Sequence, residues 1–304
     1  MRISTQAAAQ SALVDLMKAQ REAYDAREQL STGKKAPDLK GYANAAETIM
    51  TARAAKVRTD TFTAANERLA NRLEVQDLAY RELSDAATEL RTALTTADGT
   101  QLMSKVRESF DRVVGALSTK FSGSFVFSGV RTDAAPLNAN TLADLQAAVP
   151  DVSAVFEDPG RRQTARIDED TSIDVNRTAE EVVGGLMAVF ERLADFHDGP
   201  DGPFDGPMTD AQQTYVRSEI TNVIAAFETI NDAMGENGSK QARIEATIQS
   251  HKDRADYLQE MIAGLEDADM AEAASRLTQA QTAVEVSART FASLSQVSLL
   301  PFLR

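Results

Sequence analysis

The chain has 304 residues, is 43% hydrophobic and 6% aromatic, contains no cysteine and carries a formal net charge of −14. The lack of cysteine excludes disulfides, thiolate metal sites and cysteine nucleophiles. Residues 1–120 carry 18 Lys or Arg against 16 Asp or Glu, but residues 121–304 carry 14 against 30, an acidic balance that disfavours binding to nucleic acid.

The sequence contains no segment that predicts a membrane span. No run approaches the roughly 18 consecutive apolar residues that a spanning helix needs. Residues 1–16 also lack the basic and apolar regions of a cleaved signal peptide. We therefore expect the chain to be either cytoplasmic or exported with its N-terminus uncut.

The N-terminal third predicts three helices. The first covers Arg2–Leu30, and an irregular connector with one Pro follows over Gly33–Gly41. The second covers Tyr42–Ala97 without Gly or Pro and would be roughly 85 Å long at about 1.5 Å per residue. Asp98-Gly99 turns the chain, and Thr100 can cap a third helix that packs back on the second.

The middle of the chain differs in composition from the regions on either side. Six of the eight Pro and eight of the fifteen Gly fall between Phe121 and Met208. A helix is predicted over about 179–196, and residues 121–208 as a whole are predicted to form a small, acidic, β-rich insertion. Alternating runs predict short strands over Phe121–Phe127, Val152–Phe156, Gln163–Ile167 and Ser172–Val175.

The C-terminal part predicts further helices. After a Gly/Pro/Asp loop over His197–Pro207, Thr209–Gln212 forms a capping box that opens a helix, and Gly235 is expected to end it. From Ser239 the chain is predicted to be helical to Leu300, with a joint at Gly264–Asp269.

Two heptad seams, one near each end, are the strongest pattern in the chain. Their residues alternate in steps of four and three, as the a and d positions of a coiled coil do. We interpret the seams as two halves of one coiled coil. The members are Leu69, Leu73, Gln76, Tyr80, Leu83, Ala87, Leu90 and Leu94, and then Ala273, Leu277, Ala280, Val284, Ser287, Phe291, Leu294 and Ser298.

The predicted fold is mainly α: an elongated helical hairpin or coiled-coil rod formed by both termini, with a small β-rich central insertion. We expect three parts. Residues 1–44 and 265–304 form a terminal coiled-coil domain, residues 45–120 and 209–264 a central helical rod, and residues 121–208 the insertion.

Residues with catalytic or metal-binding chemistry are few. Asp198, Asp201 and Asp205 miss the spacing of a calcium loop, and His197 and His251 lie on separate segments. Asp267, Asp269 and Glu272 are explained by a helix start. Two glycosylation triplets, at Asn176 and Asn237, are common by chance. The sequence predicts no catalytic residues, no cofactor and no metal, and thus no enzyme.

Apolar residues close to both ends predict contacts with other protein chains, because a monomer has little there with which to cover them. Phe125 and Phe127, two apart, are expected to pack at the base of the insertion. The residues predicted to contact other subunits are Ile3, Leu13, Leu16, Leu30, Leu277, Val284, Phe291, Leu294, Val297, Leu300 and Phe302.

The sequence near both ends resembles that of the flagellin-like axial proteins of the bacterial flagellum. The first five residues and Gln29–Lys35 are similar to the family's N-terminal region, and Asp267–Glu272 through Leu300 to its C-terminal region. Within that family, Gly123–Gly129 is similar to an element typical of the branch that joins hook to filament. Residues 36–41 depart from the stretch that most members have there.

The resemblance implies a structural role and a location outside the cell. Members are exported through the flagellar type III apparatus, with a cytoplasmic chaperone on the C-terminal helix, and contact copies of themselves, a neighbouring hook-associated protein and flagellin. A structural adaptor between hook and filament is the expectation. A flagellin subunit of the filament and a cytoplasmic helical scaffold are the alternatives.

Overall fold

The computed structural model describes residues 2–148, 150–157 and 160–297, and their fold is mainly helical. The helices are α1 (Arg2–Thr32), α2 (Ala46–Thr96), α3 (Gly99–Leu117), α4 (Leu142–Gln146), α5 (Ala179–Asp198), α6 (Asp210–Glu266) and α7 (Met270–Val297). The strands are β1 (Lys120–Phe121), β2 (Ser124–Phe125), β3 (Thr164–Arg166) and β4 (Ser172–Asp174). The predicted fold class, a helical protein with a small central β insertion, is confirmed.

The turns of the N-terminal third lie where the sequence predicts them. The connector contains a 3-10 helix over Leu39–Ala45, which Asp38 caps by accepting hydrogen bonds from the N–H groups of Lys40 and Gly41. The cap of α3 is Asp98 rather than the predicted Thr100, because the Asp98 carboxylate accepts the Thr100 N–H. Helix α3 then packs back on α2, and the Ser109 hydroxyl donates to the carbonyl of Ala86 at 2.8 Å.

The insertion contains less strand than predicted. Strands β1 and β2 form a tight antiparallel hairpin in place of one strand over 121–127, because Ser122 and Gly123 both adopt positive φ and reverse the chain. Residues Val152–Val155 form a 3-10 helix, opened by Asp151 as its cap, where a strand was predicted. Strands β3 and β4 pair in an antiparallel register close to the prediction.

Helix α5 is a core element. The helix begins at a capping box formed by Thr178 and Glu181. The side chains along α5 are buried around much of its circumference, which is typical of a helix enclosed by others. They are Val182, Val183, Leu186, Met187, Val189, Phe190, Leu193 and Ala194.

Helix α6 is continuous through Gly235, so the predicted break there is wrong. Its capping box at Thr209 and Gln212 is present as predicted. Buried apolar residues lie on both sides of the glycine, with Ala233 before it and Ile244 after it. Their burial offsets the roughly 1 kcal/mol that a helix-interior glycine costs.

Two compact units make up the chain. Unit 1 is formed by the segments up to Thr59 and from Asp253, and unit 2 by Asp60–Lys252. Helices α2 and α6 contribute residues to both. Every member of the first heptad seam is buried, and the seam lies in unit 2, whereas the second seam belongs to α7 in unit 1. The predicted pairing of long helices from the two ends is confirmed, and within unit 1 the partner of the second seam is α1. The three-part division made from the sequence stays a prediction.

Candidate functional site

Helices α1 and α7 of unit 1 form an antiparallel pair. The end of α1 lies beside the start of α7, where the Ala268 N–H donates to the Gly33 carbonyl at 2.8 Å. One turn further along, Arg276 Nη2 donates to Gln29 Oε1 at 2.8 Å. The pair brings together the two regions of the sequence that were predicted to form contacts between subunits.

The seam between the two helices is rich in alanine. The fully buried positions on α1 are Ala12, Ala19 and Ala26, seven residues apart, and Ala273 and Ala280 are their counterparts on α7. Larger residues in the same heptad register are half-buried, and all of them were predicted to contact other subunits. They are Leu16, Leu30, Leu277, Val284, Phe291 and Leu294.

The structure places the remaining predicted contact residues differently. Leu13 lies outside the seam and is exposed. Ile3 and Val297 lie in α1 and α7, but their side chains are outside the described part of the chain. Leu300 and Phe302 lie beyond the described residues altogether. Their role between subunits stays a prediction.

A row of exposed apolar side chains follows another face of α1, which we call the outer stripe. Leu13, Val14, Met17 and Tyr24 have relative exposures of 42%, 63%, 57% and 67%. Successive residues of a helix are about 100° apart, which places Leu13, Met17 and Tyr24 on one side, turned away from the alanine seam. Apart from Leu13, the sequence analysis missed these residues. Their signal was available, since Leu13, Met17 and Tyr24 are spaced by four and seven residues, a helical spacing on a face other than that of the alanines.

The base of the insertion is organised around Phe127. Its ring is buried and packs edge-to-face on Tyr80 of α2, with centroids 5.3 Å apart. Burial raises the pKa of Tyr80 to about 12. Phe125 is only half-buried, and Lys120 Nζ lies 4.2 Å from its ring centroid. The two rings therefore have different environments.

Backbone contacts hold the same segment in place. The Phe127 carbonyl accepts the Ala179 N–H at 3.1 Å, where α5 begins. The Val126 carbonyl accepts Asn176 Nδ2 at 3.0 Å. Gly129 has φ of +58°, and a Cβ there would lie 2.2 Å from the Arg161 carbonyl oxygen, so only glycine fits.

The loop before α6 is packed rather than solvated. Phe204 is buried, stacks on Phe196 with centroids 5.4 Å apart, and its N–H donates to His197 Nδ1 at 3.0 Å. Gln212 Nε2 donates to the carbonyls of Asp201 and Pro203 at 3.1 and 3.2 Å. The sequence pattern missed this packing because the loop has no apolar period.

The loop carboxylates and the two glycosylation triplets lie in different environments. Asp198, Asp201 and Asp205 are exposed, and among the residues with described positions no group of three or more His, Cys, Asp or Glu could hold a metal ion. The amide groups of Asn176 and Asn237 are buried and donate to the carbonyls of Val126 and Leu73. The asparagine side chains of both glycosylation triplets are therefore inaccessible in the folded chain.

The joint between α6 and α7 contains a contact set that the sequence analysis missed. Glu266, the last residue of α6, is buried and forms ion pairs with Lys34 and Arg53, at 2.8 and 2.5 Å. Burial alone would raise the pKa of this carboxyl, but the two cations outweigh burial, and its pKa is lowered. No local pattern connects residues so distant in sequence.

Among the helices of the described ranges, none has a stretch long and apolar enough to cross a membrane.

Comparison with known proteins gives the following matches. Residues 3–132 match the model of the bacterial flagellin N-terminal helical region, and residues 220–303 match that of the bacterial flagellin C-terminal helical region. Together the two regions cover about two thirds of the chain. No curated protein matches the chain.

Solved structures share the fold. The chain is similar to a flagellar hook-associated protein from Vibrio parahaemolyticus, with a TM-score of 0.59, 17% identity, and coverage of 73% of this chain and 97% of that one. It is also similar to FlgL from Bacillus cereus, with a TM-score of 0.52, 12% identity, and coverage of 71% and 99%.

Proposed function

The chain belongs to the flagellin-like axial proteins of the bacterial flagellum, and we propose that within this family it is the structural adaptor that joins the hook to the filament. The family role is structural, and it implies a location in the extracellular flagellum. The narrower role, between hook and filament, is our proposal.

The observation that carries the proposal is the segment Gly123–Gly129. Its sequence is similar to the element typical of junction proteins, and its conformation depends on that sequence. Gly123 and Gly129 both adopt positive φ, and Phe127 between them fills the base of the insertion against Tyr80. One of the two solved structures that share the fold is described as a flagellar hook-associated protein, and this likeness supports the same assignment.

Imaging of the assembled flagellum tests the proposal. We expect an antibody against residues 130–160 to label one band between hook and filament. Labelling along the whole filament would instead identify a flagellin subunit, and retention in the cell body would identify a cytoplasmic scaffold. A strain lacking the gene is the control for antibody specificity, and we expect it to keep its hooks and release flagellin into the medium.

We propose that copies of the chain contact one another, and their neighbours in the axial structure, through α1 and α7. The outer stripe supports this proposal because it leaves apolar surface uncovered on α1, while the alanine seam is already filled within the chain. Isolated exposed apolar residues are normal on a monomer, but a row along one helix is typical of an interaction surface.

We also propose that an export chaperone holds α7 before assembly. Leu277, Val284 and Phe291 are half-buried against α1 and would be exposed whenever the two helices are apart. A chaperone covering them would keep the chain competent for export. Co-purification of a small cytoplasmic protein with the full chain, lost when Leu277 and Val284 are replaced by Asp but kept when the exposed Val286 is, is the expected result.

A further inference from the structure

Asn237-Gly238 is the only Asn-Gly pair in the sequence, and it lies inside helix α6. Glycine has no Cβ, so in a flexible chain its backbone nitrogen can approach the side-chain amide of the residue before it. An Asn-Gly pair can therefore close a five-membered ring between that nitrogen and the asparagine side chain. Gly238 is exposed and Gly235 lies one turn away, so helix propensity does little to hold this stretch in place.

Packing holds the Asn237 side chain in a position where that ring cannot close. Asn237 is 2% exposed, and its Nδ2 donates to the Leu73 carbonyl of α2 at 3.0 Å. Its Oδ1 is buried and, within the described part of the chain, accepts no hydrogen bond that could stabilise negative charge on it. The backbone is helical here, and a helical N–H donates to the carbonyl four residues earlier, so the Gly238 nitrogen is engaged by the helix.

Neighbouring contacts keep this turn of α6 closed. Arg177, just before α5, donates from Nε to Glu236 Oε2 at 2.6 Å, and Lys240 pairs with Glu236 Oε1 at 2.7 Å. The bond from Asn237 to Leu73 attaches the same turn to α2. Three segments of unit 2 meet at these residues, so α6 cannot open here without losing its contacts to the other two. Ring closure at Asn237 is therefore coupled to the opening of unit 2.

We propose that Asn237 is a modification site that is protected in the folded chain and converts to aspartate and isoaspartate when unit 2 is unfolded. The Gly238 nitrogen gives up its proton and bonds to the Asn237 side-chain carbonyl carbon, the bond from that carbon to the amide nitrogen breaks, and ammonia leaves. Water then adds to either carbonyl carbon of the cyclic imide and breaks one C–N bond. The net change is amide plus water to carboxyl plus ammonia, without oxidation or reduction. This inference does not depend on the proposed place of the protein in the flagellum.

The product of the reaction does not fit the folded site. The Asn237 amide donates to a carbonyl, whereas a carboxylate has only acceptors and would face the Leu73 carbonyl with a negative charge. Burial of an unpaired carboxylate is costly, and isoaspartate also adds a methylene group to the main chain of α6. Conversion therefore removes a chain from the pool that can fold, which makes Asn237 a chemical record of the time that the chain spends unfolded.

Mass spectrometry of the full chain tests the site. The chain is incubated at mildly alkaline pH with and without urea and digested at acidic pH, and an isoaspartyl methyltransferase labels isoaspartate. We expect Asn237 to convert at least about 100-fold more slowly in the folded chain than in urea, because conversion requires opening of unit 2. Asn71, which is exposed and precedes Arg72, is the internal control and should convert at least about tenfold more slowly than Asn237 in urea. Gly238→Ala should slow Asn237 in urea by a similar factor, because its Cβ hinders the approach of the nitrogen.

Removal of the urea tests the consequence for folding. After partial conversion, size-exclusion chromatography separates refolded chains from those that remain unfolded. We expect converted chains to be at least about tenfold enriched in the unfolded fraction, because the site in α6 does not accept a carboxylate.

Three results would overturn the proposal. Equal conversion of Asn237 with and without urea would show that the fold does not protect the side chain. Conversion in urea no faster than that of Asn71, or unchanged in Gly238→Ala, would show that the pair with glycine has no special reactivity. An equal share of converted chains in the refolded and unfolded fractions would show that the folded site accepts the product.

Discussion

Phe125 and Phe127 show that two rings at strand spacing can have different roles. The spacing predicts that both rings pack on the helices, but β2 ends at Phe125, whose partner Lys120 is the first residue of β1, and only Phe127 is fully buried. Alternation applies only while the strand continues. The shortness of the hairpin therefore decides the outcome.

We expect Phe127→Ala to lower the free energy of unfolding of unit 2 by about 3–5 kcal/mol, because it empties a buried site against Tyr80. Phe125→Ala should cost less than about 1.5 kcal/mol, because its ring is half-buried. Urea unfolding monitored by circular dichroism measures both. Equal costs for the two variants would contradict the packing described.

Glu266 makes the stability of unit 1 dependent on pH. Its folded pKa lies below the ordinary value of 4.5, because Lys34 and Arg53 favour the carboxylate. A lowered folded pKa means that the stabilising contribution is fully present above about pH 4.5 and is lost as the pH falls through the folded pKa. Thermal unfolding of the unchanged chain should therefore show a decrease in Tm below pH 4.5.

Glu266→Gln serves as the comparison for this acid effect. It has no proton to gain, so its own loss of Tm between pH 6 and pH 3 should be smaller than that of the unchanged chain. Parallel Tm curves for the two proteins would mean that other carboxylates account for the acid sensitivity.

Among the elements, the loop before α6 differs most from its expected character. The sequence predicts only a Gly/Pro/Asp loop, yet Phe204 is buried and Gln212 donates to two of the loop carbonyls. A single apolar residue in a polar run has no period, and no sequence pattern could reveal its burial.

Phe204→Ala should lower the stability of unit 2 by about 3 kcal/mol, because the ring is removed from the stack on Phe196. Asp205→Asn, at the exposed neighbour, should change stability by less than about 0.5 kcal/mol. Chemical denaturation of the two variants compares them. If Phe204→Ala were as stable as Asp205→Asn, the loop would be solvated after all.

Substitution of two exposed glycines inside helix α6 should stabilise the protein. Gly235 and Gly238 are exposed, and a Cβ at either position would meet no heavy atom within 4 Å. Replacing each with Ala should raise the free energy of unfolding by about 0.5–1 kcal/mol, because the unfolded chain loses freedom and the helix gains a better former.

Gly129→Ala is the contrasting variant, because its Cβ would collide with the Arg161 carbonyl and its φ is positive. Thermal unfolding should show a lower Tm for Gly129→Ala, and a higher Tm for Gly235→Ala and Gly238→Ala, than for the unchanged chain. A loss of stability in Gly235→Ala would show that α6 is not a regular helix at that point.

For the whole molecule, local patterns predicted the elements, but long-range pairing could not be read from them. The first seam, the capping box at Thr209 and Gln212 and the α6–α7 joint lie where local patterns indicate, because these depend on neighbours in sequence. The pairing of α7 with α1 depends on which complementary surface is available, and the heptad period of Ala273–Leu294 is compatible with any partner helix. The ion pairs of Glu266 with Lys34 and Arg53, and the outer stripe, lie outside every period that was considered.

The assembly surface can be separated from the fold by comparing two faces of α1. Met17→Asp with Tyr24→Asp changes only exposed positions, and we expect these cells to keep a folded, exported chain but to lose attached filaments. Motility in soft agar and circular dichroism of the purified chain measure the two properties. Ala19→Asp, in the buried seam, should instead weaken the α1–α7 pair itself. Normal filaments in the outer-stripe variant would place the subunit contact elsewhere.

The alanine seam has a consequence for reversibility. An alanine side chain has no rotamers to lose on burial, so burying Ala12, Ala19 and Ala26 of α1 and Ala273 and Ala280 of α7 costs almost no side-chain entropy and returns only a small hydrophobic gain. The seam can therefore open at its alanine layers with little change in free energy, and its larger half-buried residues, such as Leu16, Leu277 and Phe291, supply most of what holds it. It also uses only two of every seven positions, so most of the perimeter of each helix stays free for whatever chain arrives next to it.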